Sequence, residues 1–501
     1  MRDYLKRLVT TGAAYQAADI VAKGIAVVTL PLYTRHVAAA GYGAYQSLLT
    51  AVILASIFLR LGLGEAFVRF YFHDEDAARR ARIARTVTAA VAWSTTVAAL
   101  AALAFSGDLS QLILGSRDPE LIDCAVLGLW AFTNLEMAYA QLRVDERARV
   151  YLYASGANVA MTVTFTVALV VLADQGARGL LLGNFGASAL VVLGLWAMFA
   201  RERRFSLRAL ADRRAAGDLG AMLRFGAPTV PADASVYALQ VVDRLYIYRS
   251  YSHGAAGRYS IALQLATVVF LFVRGFQYAW PPLAYSVRSD DAAARLYALV
   301  TTYYVLATGA MVCAVALLGR WLVRALAAPE YFGAYRALPW LALGWALYGC
   351  YPVLMVLAGR AGNTARNFPA AAVGLAANVA LLLALVPASG AGLGIAGAGL
   401  ALCGAYLAML AVLYALTRSL FHVRFEWARL AIATAILAAV ALSGELLLPT
   451  AGAGGLVLRA AWLLWVPALL FATRFFTARE LRGARDVVNA ARRRVEGSAK
   501  P

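Results

Sequence analysis

Residues 12–60, GAAYQAADIVAKGIAVVTLPLYTRHVAAAGYGAYQSLLTAVILASIFLR, align without a gap on residues 226–274, GAPTVPADASVYALQVVDRLYIYRSYSHGAAGRYSIALQLATVVFLFVR, at an offset of 214. Asp19 meets Asp233, Arg35 meets Arg249, Tyr45 meets Tyr259 and Arg60 meets Arg274. Twelve of the 49 pairs are identical, where about one in ten is expected for segments this rich in Ala, Leu and Val. Coincident ionisable residues inside apolar runs weigh most, because each is costly in lipid and rarely placed by accident. The chain reads as two copies of one membrane unit.

Composition agrees with that reading. The 501 residues are 62% hydrophobic and 15% charged, with a mean hydropathy of +0.68, far from a soluble norm of about 25% charged. Apolar runs of about 20 residues, the length that spans a bilayer, recur near 11–32, 46–70, 83–105, 121–142, 151–173, 178–200, 221–247, 258–284, 297–319, 337–358, 368–388, 393–417, 427–448 and 455–475. The expected fold is therefore an all-α polytopic membrane protein with about fourteen transmembrane helices. Of the 46 Lys and Arg residues, 33 fall on the side of the N-terminus, nine opposite, and four within spans: Lys23, Arg60, Arg244 and Arg274. The positive-inside rule then puts both termini in the cytoplasm, and with them the loops around Arg79, Arg143 to Arg149, Arg201 to Arg214 and Arg418 to Arg429. The formal charge of +19 reports this topology. Cations scattered over membrane-edge loops form no groove for nucleic acid, and anionic lipid accounts for them.

The basic segment after residue 200 divides the chain. Residues 1–200 are expected to form one six-helix lobe, 201–220 a basic linker, 221–417 a second six-helix lobe, 418–476 an extra helix pair, and 477–501 a basic cytoplasmic tail. Six is even, so both copies enter from the same side and are related by an axis along the membrane normal. The tail, with Arg479, Arg482, Arg485 and Arg492 to Arg494 among Leu and Val, suits a surface-lying helix as well as an unstructured strand of charge. No cleavable signal is expected, since the first run carries Asp19 and Lys23 and lacks a small-residue cleavage pattern. Cys124, Cys313, Cys350 and Cys403 fall in or beside spans without disulfide or zinc spacing and read as packing residues. No GxxxxGK[ST] and no HExxH pattern occurs, and none of the four histidines has another at metal-ligand spacing. Neither a nucleotide-driven motor nor a metal site or other cofactor is expected. Short outer loops also leave little room for catalysis, so the protein is not expected to be an enzyme.

The polar residues within spans carry the functional reading. On helix one, Gln16, Asp19 and Lys23 fall at i, i+3 and i+7 and share a face. Gln46, Thr50, Arg60 and Gly64 fit one stripe on helix two; Asp233, Tyr237, Gln240 and Arg244 do so on helix seven, and Ser260, Gln264, Thr267, Arg274 and Tyr278 on helix eight. Each Lys, Arg or Asp near the bilayer centre costs about 2.5 to 3.5 kcal/mol unless it pairs or lines a wet cavity. A water-filled chamber between the lobes accommodates all four stripes. At 1.5 Å per residue, Asp19 and Arg60 lie at similar depths and suit a pair, as do Asp233 and Arg274 by the repeat. Two readings of these couples stand: braces within each lobe, or groups exposed to the chamber. Lys23 aligns with Tyr237 and breaks the symmetry, either as a substrate contact or as a bridge to Asp19 one turn away.

The motifs Pro31-Leu-Tyr-Thr-Arg35, Tyr42-Gly-Ala-Tyr45 and Leu61-Gly-Leu-Gly64, with Ala66 and Arg69, resemble the opening of polysaccharide flippases of the O-antigen type. So do Phe225-Gly-Ala-Pro228, Asp243-Arg244 and Gly257-Arg-Tyr-Ser260, and Arg143-Val-Asp-Glu-Arg147 with Tyr151. The resemblance covers roughly residues 5–420 and points to the multidrug/oligosaccharidyl-lipid/polysaccharide exporter superfamily. It implies two six-helix lobes in a V, in a bacterial cytoplasmic membrane. The implied activity is passage of a polyprenyl-diphosphate-linked oligosaccharide from the inner to the outer leaflet by alternating access, with a polysaccharide polymerase complex as a partner. Since Arg binds phosphate bidentately and Lys offers a point charge, Lys23, Arg60 and Arg274 are the expected diphosphate ligands. Gln16, Tyr237, Gln240 and Gln264 would line the glycan chamber. Asp19 and Asp233 would couple transport to a proton or sodium gradient. A cation-coupled drug or metabolite exporter and a lipid II flippase are the alternatives within the superfamily. Much of the motif content also fits a role in lobe folding.

Overall fold

The computed structural model describes residues 24–73, 76–202, 205, 212–227, 230–287, 289–360, 367–419 and 421–476, and among them every regular element is helical. In chain order these are α1 (Leu30–His36), α2 (Ala39–Arg60), α3 (Leu63–His73), α4 (Ala77–Ala104), α5 (Ser106–Leu114), α6 (Pro119–Val144), α7 (Ala148–Val167), α8 (Gly176–Arg201), α9 (Arg213–Gly226) and α10 (Val230–Ser250). They continue as α11 (His253–Ser286), α12 (Asp290–Leu326), α13 (Leu338–Tyr348), α14 (Tyr351–Arg360), α15 (Asn367–Leu385), α16 (Gly394–Thr417), α17 (Trp427–Leu447), α18 (Gly452–Trp462) and α19 (Trp465–Ala472). Among the described residues, eleven segments are long and apolar enough to cross a membrane, and the chain is a multi-pass membrane protein.

Three of the fourteen expected spans are not among those eleven. The first, 11–32, falls mostly outside the described residues. The seventh corresponds to α10, a 21-residue helix whose Asp233, Asp243, Arg244 and Arg249 make it too polar to be recognised by composition. The eleventh corresponds to the shorter apolar stretch Pro369–Leu385. The tail 477–501 lies outside the described residues.

Helix ends follow local chemistry. Asp76, Asp118 and Asp212 each accept a backbone N–H in the first turn of α4, α6 and α9, the usual way of satisfying donors that have no helical partner. Pro352 and Pro467 cannot donate to the carbonyls of residues 348 and 463. The tenth span accordingly breaks into α13 and α14, and the fourteenth into α18 and α19.

The repeat reappears in where helices stop and start. α1 ends at His36 and α10 at Ser250; α2 begins at Ala39 and α11 at His253; both pairs are 214 apart. Gly43 and Gly257, also 214 apart, meet directly. A Cβ on Gly43 would stand 2.6 Å from the His253 carbonyl oxygen and 2.9 Å from the Gly257 nitrogen, and a Cβ on Gly257 would overlap the Ala39 carbonyl. Reciprocal contact of equivalent residues is what a two-fold relation produces, and glycine at the crossing lets two membrane helices approach backbone to backbone.

The copies then diverge. α2 stops at Arg60, whereas the equivalent Arg274 lies within α11, which continues to Ser286. The stripe expected to run from Gln46 to Gly64 is therefore interrupted, and Gly64 belongs to α3. Leu61 takes a left-handed conformation (φ 47°) and Gly62 follows at φ 70°. The Gly62 backbone abuts that of Gly226 at the end of α9, so no Cβ fits on either residue. The break is set by this long-range contact, with no proline to announce it.

Two compact units result. The first comprises Met1–Thr267, Val323–Leu341 and Asn367–Val412. In it, Leu63, Phe67, Ile83, Val87 and Val91 pack with Met137 and Met222, while Leu135, Leu142, Val192 and Phe199 form a neighbouring core. Buried polar bonds join α4 to α6: Asn134 donates to Thr95 (2.9 Å), Trp130 to Thr96 (3.1 Å) and Thr88 to Gln141 (3.1 Å). Such bonds are effective interhelical ties where no water competes. The later half of the basic segment after residue 200 folds as the amphipathic α9, whose Asp218 accepts from Arg79 (3.1 Å) and Arg82 (3.1 Å).

The second unit comprises Val268–Leu322, Ala342–Arg366 and Leu413–Pro501. It docks α17 to α19 on α12 through Cys313, Leu317, Leu437, Val440 and Leu470. Beside that core, Arg459 is fully buried. It donates to the carbonyls of Pro449 (3.0 Å), Leu448 (3.1 Å) and Leu317 (3.3 Å) and pairs with Glu445 at 2.5 Å. Glu445 also accepts from Arg320.

Candidate functional site

Arg60 terminates α2, with Nε donating to the Ser56 carbonyl at 3.3 Å. A cation in the last turn gains about 0.3–1 kcal/mol from the helix dipole. The left-handed Leu61 beside it carries strain of roughly 1–2 kcal/mol, the kind that persists where surrounding structure over-determines it. Arg60 opens on a cavity of about 520 Å³ within the first unit, lined also by Gly64, Val68, Glu136, Met137, Ala140, Arg143 and Val144. Glu136 and Arg143 stand seven residues apart on α6, two turns on one face. Two guanidiniums and one carboxylate thus share a recess with an apolar wall. Two planar cations offer an oxyanion paired, charge-assisted hydrogen bonds, and the apolar wall suits an attached hydrocarbon.

Arg143 belongs to a motif whose other members hold the fold. Asp145 accepts from the Tyr71 hydroxyl (2.9 Å), Arg147 pairs with Glu202 (2.9 Å), and Tyr151 packs on Tyr139 with ring centroids 4.9 Å apart. The Glu202 carboxylate holds the Arg147 guanidinium above its ordinary range.

A second polar cluster lies where α2 meets α10 and α11. Tyr42 donates to Gln264 Oε1 (2.7 Å), Gln46 donates to the Tyr42 hydroxyl (3.0 Å), and Gln264 Nε2 donates to the Ala26 carbonyl (2.8 Å). Gln264, expected to face a glycan, is thus engaged by protein groups at both ends of its amide. Arg244 donates to Thr50 (3.3 Å), and its Nε is buried with no hydrogen-bond partner among the described residues. Asp243, 1% exposed, accepts from Tyr259 (2.7 Å) and Asn378 (2.9 Å), so this acid braces α10 against α11 and α15. Tyr237 is half-buried on α10.

In the second unit, the Arg274 guanidinium lies over the Phe270 ring at 5.0 Å, a cation–π contact that keeps a charge tolerable at membrane depth. Arg60 and Arg274 belong to different units. Gln16, Asp19 and Lys23 fall outside the described residues, as do the side chains of Asp233 and Gln240. The pairings Asp19 with Arg60 and Asp233 with Arg274 remain expectations.

Sequence reasoning missed Glu136 and the cavity role of Arg143. An acid inside the apolar run 121–142 was the available signal for the first, and the seven-residue spacing for the second.

Residues 9–284, more than half of the 501-residue chain, match a family profile described as polysaccharide biosynthesis protein. Over 279 residues the sequence is 22% identical to a protein of the Lsg locus of Haemophilus influenzae, covering 54% of this chain. The match spans 64% of that relative's length. Among solved structures, the lipid II flippase MurJ in an inward closed conformation is similar, with a TM-score of 0.73 and 13% identity over 96% of this chain and 100% of that one. An inward-facing multidrug resistance transporter of the MATE family, in the MOP superfamily, is similar with a TM-score of 0.60 and 14% identity over 81% of this chain and 94% of that one. At such identities the likeness establishes a shared fold.

Proposed function

The chain belongs to the polysaccharide biosynthesis protein family, and from that premise we propose that it is a flippase carrying a polyprenyl-diphosphate-linked oligosaccharide from the inner to the outer leaflet of a bacterial cytoplasmic membrane. The supporting observation is the recess in which Arg60 and Arg143 flank Glu136 against an apolar wall. A diphosphate head on a greasy tail needs both surfaces at once. Lys23 and Arg274 complete the diphosphate ligands in this reading. Gln16, Tyr237, Gln240 and Gln264 border the glycan, and Asp19 and Asp233 couple the cycle to a proton or sodium gradient. The chain then has fourteen spans, in two six-helix lobes and an extra pair, with both termini cytoplasmic. Rocking of one lobe against the other moves the head outward. A cationic drug as cargo is disfavoured by two arginines against one glutamate around the recess.

The test is flipping of a labelled polyprenyl-diphosphate sugar in proteoliposomes. Arg60→Ala and Arg143→Ala should each slow the initial rate at low substrate by about ten- to a hundredfold, the loss of a charge-assisted hydrogen bond worth about 1.5–3 kcal/mol. Arg178→Ala, which removes a partner of Glu120 elsewhere in the first unit, should leave it unchanged. An unaltered rate in a Lys23→Ala, Arg60→Ala, Arg274→Ala triple variant rejects the site.

A further inference from the structure

The second unit carries an arrangement that the diphosphate site does not use. From Arg274 a chain of rings runs to the break in the tenth span. Arg274 covers Phe270; Phe270 lies 4.5 Å from Trp345 between centroids; Trp345 meets Tyr348 edge-on at 6.0 Å; and Tyr348 and Tyr351 lie nearly parallel, 11° between planes and 6.4 Å between centroids. Angle and spacing are those of an offset-stacked pair. Both are half-buried. The Trp345 indole is 8% exposed, and its Nε1–H has no hydrogen-bond partner among the described residues. A buried donor without an acceptor is costly, and a ligand that brings a hydroxyl to it relieves that cost.

The local backbone supports the same conclusion. Pro352 interrupts the helix between Tyr348 and Tyr351, and the Tyr304 hydroxyl crosses to donate to the Ala346 carbonyl at 2.8 Å. Its oxygen occupies the space that a Cβ on Gly349 would need. Interrupted helices at membrane depth are tolerated where protein or a wet cavity covers them, and in transporters they mark binding sites.

We propose that Tyr348 and Tyr351 form a stacking platform for the pyranose rings of a glycan, with the Trp345 N–H at its edge donating to a sugar hydroxyl. Aromatic faces are electron-rich, and the axial C–H bonds on one face of a pyranose present the complementary partial charge. Flat rings in series with one donor recognise sugars as a class and tolerate variation in linkage. That the glycan arrives on a diphosphate lipid rests on the flippase reading; the affinity of the platform for sugar does not.

The experiment is saturation-transfer NMR on the full chain in nanodiscs, irradiating aromatic protons, with maltoheptaose and an N-acetylglucosamine heptamer as probes. Signal is expected on ring C–H protons of the sugar. Replacing both tyrosines (Tyr348→Leu, Tyr351→Leu) should weaken binding about three- to tenfold per ring removed, whereas Tyr348→Phe with Tyr351→Phe should retain it. Trp345→Phe, which keeps a ring and removes only the donor, provides a second measurement if the leucine variant fails to fold; it should weaken binding several-fold. No transfer to either probe in the parent protein, or undiminished transfer in the leucine and Trp345→Phe variants, overturns the platform. Sugar contact without flipping of the labelled lipid would reject the flippase reading and leave the platform standing. Flipping without sugar contact would do the reverse.

Discussion

Replacing Gly43 by alanine sets a methyl group between two backbones that have no room for it. The new Cβ would lie 2.6 Å from the His253 oxygen and 2.9 Å from the Gly257 nitrogen, where real Cβ atoms essentially never come within 3.0 Å. Ordinary contact begins at 3.4 Å, so α2 and α11 must part by several tenths of an ångström at their crossing. Neither obstructing atom is on a side chain that could rotate away. Overpacking of this kind costs about 1–3 kcal/mol, which lowers the population of the closed crossing by about 5- to 140-fold at 1.4 kcal/mol per factor of ten. A disulfide can report it. A Cβ on Gly254 would stand 4.0 Å from the Ala39 Cβ, within the roughly 3.5–4.5 Å range of disulfides. Ala39→Cys with Gly254→Cys, in a background with Cys124, Cys313, Cys350 and Cys403 changed to alanine, should therefore cross-link readily on oxidation in membranes. Quantified by mass spectrometry of the linked peptides, cross-linking should slow by that factor when Gly43→Ala is added. Gly64→Ala, where a Cβ meets nothing within 4 Å, should not change it. Equal rates with and without the Gly43→Ala substitution, or a parent pair that never cross-links, would refute the backbone crossing and the two-fold relation drawn from it.

Arg459→Leu should destabilise the chain by about 3–5 kcal/mol, because it strips a buried hydrogen-bonded charge from its partners. Adding Glu445→Leu should recover part of that loss; thermal unfolding in detergent measures both. Asp218→Asn weakens the tie between α9 and the Arg79 and Arg82 guanidiniums, which are partly solvated. The expected effect is about 1 kcal/mol or less, read as faster amide hydrogen exchange over residues 213–226 with little change in melting temperature.

How far the sequence carries depends on the range of each interaction. Apolar run length and charge bias are local properties. They yielded the all-helical membrane class, and the ungapped offset anticipated that α1 and α10, and α2 and α11, end and begin at matching positions. The cost of an ion in lipid is likewise paid residue by residue, so Arg60 and Arg274 stand out as candidates from the sequence alone. The motifs also pointed to the family that the profile match establishes. Nothing local, however, marks Leu61 as a left-handed stop. It becomes one because Gly62 is pressed against Gly226, 164 positions away. The same contact ends α2 at Arg60, and the packing of α6 beside it turns an arginine expected in a loop and an overlooked glutamate into cavity walls. Phe270 and Trp345 meet across 75 residues in the same way. Hydrophobicity tells a helix where to lie in the bilayer, but lipid is as apolar as leucine, so it cannot tell two helices which faces to join. That choice falls to close packing at small residues and to hydrogen bonds between distant segments, and these exist only once the chain has folded.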